Sequence, residues 1–127
     1  MAKFVPDPAG MKFVLRDPDG PTGIYLTKLG ARVARLAKAQ VGVDTGALRR
    51  SINYRVVQRY GGLTAVIGSD NRIALMHHQG TRPHIIVPRR AQTLRFYSRG
   101  RIVYSKLVHH PGTKPNRYLT DNLRRVI

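Results

Sequence analysis

Between Pro21 and Val41 the apolar residues recur at the spacing of an α-helix, and a few residues later the pattern changes to strict two-residue alternation. Tyr25, Leu29, Val33, Leu36 and Ala37 gather on one arc of the helix, while Lys28, Arg32, Arg35 and Lys38 gather opposite. A helix with one apolar face must bury that face on another element, so the arc is expected to cover a sheet. The basic face suits anionic lipid or DNA, and a solvated helix surface accounts for it equally well.

The alternation that follows supplies the sheet. Ile52, Tyr54 and Val56 alternate with Asn53, Arg55 and Arg59; after Tyr60-Gly61-Gly62, Leu63, Ala65 and Ile67 alternate with Thr64 and Val66. The two glycines allow the positive φ of a tight turn, which predicts a hairpin. A second hairpin is expected where Leu94 and Phe96, then Ile102 and Tyr104, flank Ser98-Arg99-Gly100-Arg101; its tip carries Arg99 and Arg101. Shorter elements fill the intervals. Asp44 can cap a short helix beginning at Ala47-Leu48, and Arg72 to Gln79 reads as a helix stopping at Gly80. His84 to Val87 is extended and closed by Pro88. Asn116 can cap a last helix with Leu119, Leu123 and Val126 on one face and Arg124-Arg125 at its C-terminal end. The turn phrases Pro6-Asp7-Pro8 and Asp17-Pro18-Asp19-Gly20-Pro21 mark residues 1–23 as an extended arm that orders against a partner, with only Lys12 to Arg16 able to form a short strand. The expected fold is α+β: an antiparallel sheet of two hairpins packed on one long helix, in a single domain over 24–127. There is no βαβ alternation and no Gly-rich phosphate loop, so nucleotide binding is not indicated.

Charge narrows the partners. The chain has 23 Lys and Arg against 6 acids, all Asp, a net +17. Arg dominates, which favours bidentate contact with phosphates or carboxylates. Self-repulsion at this charge works against a compact monomer, so a polyanion or an acidic protein surface is the implied partner. Arg89, Arg90, Arg95, Arg99 and Arg101 are the candidate contacts. With no cysteine there is no disulfide framework, thiolate nucleophile or Cys-based zinc site. No apolar run approaches the roughly 20 residues that span a bilayer, and "MAKFVPDPAG" lacks the apolar region of a signal peptide. A soluble protein with no membrane partner is expected.

The five histidines lie in or beside two octets that agree at His-His-x-Gly-Thr-basic-Pro: "HHQGTRPH" (77–84) and "HHPGTKPN" (109–116). Neighbouring histidines diverge on a regular element, so a metal site would need both loops plus a carboxylate, and Asp70 is the one acid near either in sequence. A His-Asn-His nuclease is suggested by "HIIVPRR", but no Asn-then-His pair follows at a workable spacing. The serines sit in no GxSxG elbow. No catalytic set, metal or cofactor is expected. The backbone reading assigns Gly80 to a helix stop and Pro111-Gly112 to a type II turn. It leaves His77, His78, His109 and His110, with Phe4 and Val5 of the arm, as candidate contacts to a neighbouring subunit or ring.

Together, "VDTGALRRSI", "AVIGSD", "HHQGT" and "HHPGTKPNRYLTDNL", in this order over about residues 24 to 125, resemble the tail-component or tail-completion neck proteins of long-tailed double-stranded DNA phages. Members more often carry an aromatic and a Glu before the Gly-Thr, where this chain has Met76-His77-His78-Gln79. The resemblance assigns structural roles to Asp44, Thr45, Gly46, Leu48, Gly80, Pro111, Gly112 and Leu119. It implies a homo-oligomeric ring, six-fold or twelve-fold, in the virion neck, made in the host cytoplasm. Its neighbours would be portal-adaptor or stopper proteins on one side and the tail terminator or tail tube protein on the other, with packaged double-stranded DNA in the channel. It implies no catalysis. The alternative is a basic DNA-binding protein or His-Asn-His-like nuclease acting in the host cell.

Overall fold

The computed structural model describes residues 2–127, which form two compact units: residues 2–74 with 117–127, and residues 75–116. The first contains α1 (Pro8–Arg16), α2 (Pro21–Gln40), α3 (Ala47–Ser51), β1 (Ile52–Arg59), β2 (Gly62–Ser69) and α5 (Thr120–Val126). The second contains β3 (His84–Ile86), β4 (Leu94–Ser98), β5 (Arg101–Ser105) and β6 (Val108–His110); α4 (Ala74–Gln79) leads into it. The α+β class holds, and both expected hairpins are present.

They do not share a sheet. β1 pairs antiparallel with β2, β4 with β5, and β3 with β6, giving three separate two-stranded ladders. β1 and β2 pack against α2. In the first tight turn positive φ falls on Tyr60 and Gly61, not on Gly61 and Gly62 as expected; in the second it falls on Arg99 and Gly100. Two successive positive φ angles match the right-handed twist of the strands they join.

The core of the first unit is Ala34, Ala37 and Val41 of α2 and its C-terminal boundary, with Leu48, Ile52 and Tyr118; Ile67, Ala74 and Leu119 pack on its margin. This corrects the expected helix arc. The buried face of α2 runs through Gly23, Gly30, Val33, Ala34 and Ala37, while Tyr25 is 61% exposed and Leu29 and Leu36 are half-buried. At 100° per residue the face is turned by about a quarter turn from the arc of large apolar residues. The cause is close approach. A Cβ on Gly30 would stand 2.9 Å from the Tyr54 ring, so helix and sheet meet through small residues that a count of large side chains passes over.

The N-terminal segment is also corrected. Residues 8–16, including the expected strand Lys12 to Arg16, are helical: Pro8 takes the first turn, where its missing N–H costs nothing, and the Asp7 carboxylate accepts the Ala9 N–H at 3.1 Å. Gln58 Nε2 donates to the Arg16 carbonyl at 2.8 Å, tying the end of α1 to β1. No residue of α1 is buried, and Phe13, Val14 and Leu15 remain exposed.

Two caps also differ. α3 begins at Ala47 as expected, after Gly46 at φ 79°, but the Thr45 hydroxyl, not the Asp44 carboxylate, accepts the Ala47 N–H at 3.3 Å. Asn116 does not cap α5, which begins at Thr120. Its N–H donates instead to the His77 carbonyl at 3.1 Å. Asn122, buried in α5, donates to Gln40 Oε1 and to the Tyr118 carbonyl, both at 2.7 Å, fixing α5 on α2.

Candidate interaction surface

Residues 75–116 contain eight Lys or Arg and no carboxylate; all six Asp lie in the other unit. None of the 75–116 residues is buried. All five candidate arginines belong to this stretch, and all five are exposed.

Strand register decides how the side chains are presented. Arg95 pairs with Tyr104, and Tyr97 with Ile102. Alternation along each strand puts these four on one face and Leu94, Phe96 and Val103 on the other. Tyr97 is 74% exposed and Tyr104 64%, against half-burial of Leu94, Phe96 and Val103. Ile102 and Tyr104 thus lie on the face opposite Leu94 and Phe96, and Val103 is the β5 residue that pairs with Phe96. The outward face combines Arg with two aromatic rings. Such a face can stack and donate bidentate hydrogen bonds together.

At the tip, Arg99 has φ 49° and Gly100 φ 76°. An arginine in the left-handed region costs about 1–2 kcal/mol relative to glycine. Arg101 pairs with Ser98 at the start of β5, so both guanidinium groups are carried by the turn and its closing pair. Arg89 and Arg90 lie in the bends that precede β4, and Arg95 lies within it.

The octets prove to be partners of each other. Thr81 and Thr113 form an antiparallel bridge, and beyond it His84 pairs with His110 and Ile85 with His109. Gly80 ends α4 at φ 75°, as the sequence indicated, and Gly112 has φ 85°, as position i+2 of a type II turn requires. The His84 and His110 rings stack at 4.9 Å with 30° between planes. A carbonyl can only accept, so His84 Nδ1 carries its proton toward the Arg82 carbonyl at 2.8 Å; His110 Nδ1 accepts the Gly112 N–H at 3.0 Å and leaves its proton on Nε2. Among the described residues no group of three or more His, Cys, Asp or Glu could hold a metal. An open cleft of about 390 Å³ borders this pair, lined by Pro83, His84, Ile85, His109, His110 and Pro111. His109 is exposed and His77 and His78 are half-buried.

Of the arm candidates, Phe4 is 87% and Val5 72% exposed. Leu48 enters the core and Leu119 packs on its margin; Gly46, Gly80 and Gly112 take positive φ. The pairing of the two octets and the Tyr97–Tyr104 face were not found from sequence. The repeated octet was the available signal for the first, since like segments of like geometry can pair about a shared centre.

A family model described as "Bacteriophage HK97-gp10, putative tail-component" matches residues 24–108. The match begins within α2 and ends at the first residue of β6, leaving α1, the whole second octet and α5 outside it. No curated protein and no solved structure matches the chain. No helix among the described residues is long and apolar enough to cross a membrane.

Proposed function

The chain belongs to the HK97 gp10-like family of bacteriophage tail components, and from that premise we propose that it acts by assembly, as a ring in the phage neck that joins the DNA-filled head to the tail. A tail component belongs to the virion and meets other virion proteins there. The neck position, the ring and the joining of head to tail are the finer reading. The observation that carries it is the 75–116 unit, which is cationic throughout, has no carboxylate and buries none of its own residues.

Two-stranded ladders of three and five residues are marginal alone in water and gain stability when apolar surface is covered. Such a unit is suited to being completed by a neighbour. Subunits of +17 brought side by side repel, so the ring needs acidic neighbours or DNA to offset its charge. In this reading Arg89, Arg90, Arg95, Arg99 and Arg101 face packaged DNA or the acidic surface of a portal-adaptor, stopper, terminator or tube protein. Phe4, Val5 and the histidines of the octets contact adjacent subunits or rings. The reading assigns no catalytic step and no cofactor to the chain.

The test is the content of purified particles. The chain is expected there in several copies per particle, at a constant ratio to the portal protein. Its absence from particles, with free protein in the infected host cell, would instead favour a DNA-binding role in that cell.

A further inference from the structure

A groove in the first unit belongs to none of these contacts. It has a volume of about 700 Å³ and lies between α2, α3 and β1. Ala31, Ala34, Ile52 and Tyr54 line its apolar part, with Ala34 and Ile52 themselves buried in the core. Arg35, Lys38 and Arg49 also line it, and no carboxylate does. The groove exists for the same reason that the helix face is turned. Small residues on α2 leave space beside the strand, and the Tyr54 ring rests against Gly30 instead of filling it.

We propose that this groove docks a short acidic segment of a different protein, anchored by an apolar side chain against Ala31, Ala39 and the Tyr54 ring, above the buried Ala34 and Ile52. Three cations without a compensating acid favour carboxylates over any cationic or neutral segment. The apolar part favours a peptide over DNA, whose phosphates would use the cations and leave the floor wet. It also matches the usual anatomy of a peptide site, with an apolar anchor and charged surroundings. A second copy of this chain fits poorly. Its exposed arm offers Phe4 as an anchor, but Lys3 adjoins Phe4 and each copy carries +17. The proposal does not rest on the ring.

The test uses the full chain and a fluorescently labelled hexapeptide alternating Glu with Leu, compared with an all-Glu hexapeptide, a Lys-Leu hexapeptide and a duplex DNA oligonucleotide, followed by anisotropy. Saturable binding of the Glu-Leu peptide is expected, at least about tenfold tighter than the all-Glu peptide. R35E/K38E should weaken it by about tenfold or more, and A31F, which narrows the floor without changing charge, should weaken it as well. R99E, outside the groove, should change it by less than about twofold. Thermal melting of each variant identifies any that fails to fold, and the charge and shape variants test the groove separately. Absence of saturable binding would overturn the proposal. So would equal binding of the all-Glu peptide or DNA with R99E as damaging as R35E/K38E, which is the behaviour of a diffuse polyanion surface. Self-association of the wild-type chain that R35E/K38E abolishes would assign the groove to a second copy instead, and would overturn it too.

Discussion

Thr81 and Thr113, the same position in the two octets, face each other across an antiparallel bridge in which each N–H donates to the other's carbonyl at 3.1 Å. The glycine before each threonine has positive φ, and a Cβ on either would strike the carbonyl oxygen of the opposite threonine. The two segments therefore cross at a point where neither tolerates a side chain. Gly80→Ala and Gly112→Ala should each cost about 1–2 kcal/mol from backbone conformation alone, with the steric contact added. Gly100→Ala also has positive φ but meets nothing within 4 Å. Amide exchange at Thr81 and Thr113 is the check: acceleration of about tenfold or more in the first two variants, and little change in Gly100→Ala.

Gly30 under Tyr54 gives a prediction whose sign depends on the partner. In the native chain a Cβ at Gly30 meets the Tyr54 ring and Cβ at 2.9 to 3.3 Å, so Gly30→Ala should destabilise despite its better helix propensity. In a Tyr54→Gly background, which removes the ring and its Cβ, the same change should stabilise, by up to about 1 kcal/mol. A double-mutant cycle by urea unfolding reads the reversal, and additive effects would mean that the contact does not limit the approach.

Tyr118 is fully buried, and its hydroxyl donates to the Ala74 carbonyl at 3.4 Å. Desolvation by burial raises its pKa above the usual value of 10.0. The unfolded chain then loses this proton first as pH rises. The contribution of Tyr118 is fully present below pH 10.0 and declines as pH rises toward and through the folded value. Tyr118→Phe should lower stability at neutral pH by about 0.5–1.5 kcal/mol and flatten the alkaline decline, as followed by unfolding at pH 8 to 11.

At the hairpin tip, fold and function should respond in opposite directions. Arg99→Asn places a residue that tolerates positive φ where arginine is strained, and should stabilise the hairpin by up to about 1 kcal/mol. The same change removes a cation from the proposed contact surface. Duplex DNA binding should then show a salt slope smaller by about 0.9, provided Arg99 meets a phosphate. An unchanged slope would remove Arg99 from that contact.

Much of the fold follows from local pattern. The period over Pro21–Gln40, the alternation of β1 and β2 and the stop at Gly80 all depend on nearest neighbours, and each was legible in the sequence. α1 was not, because proline serves equally in a turn and in the first turn of a helix, and the Asp7 cap that decides between them shows only in the fold. The orientation of α2 was not, because Gly30, Ala34 and Ala37 carry little apolar signal yet set the distance to the sheet. Which strands pair is a long-range matter. Nothing local in "HIIV" or "LVHH" names the other as its partner, and the site divides likewise: the basic residues were visible in sequence, but their grouping with Tyr97 and Tyr104 needed the register.

In the proposed function this chain joins head to tail from within the neck. An image reconstruction of the intact particle tests it most directly. The expected result is a ring of identical subunits of this chain at the head–tail junction, with residues 75–116 packed against neighbouring chains or facing the DNA channel. Complete particles whose neck density has no place for the chain, with normally joined heads and tails, would contradict it.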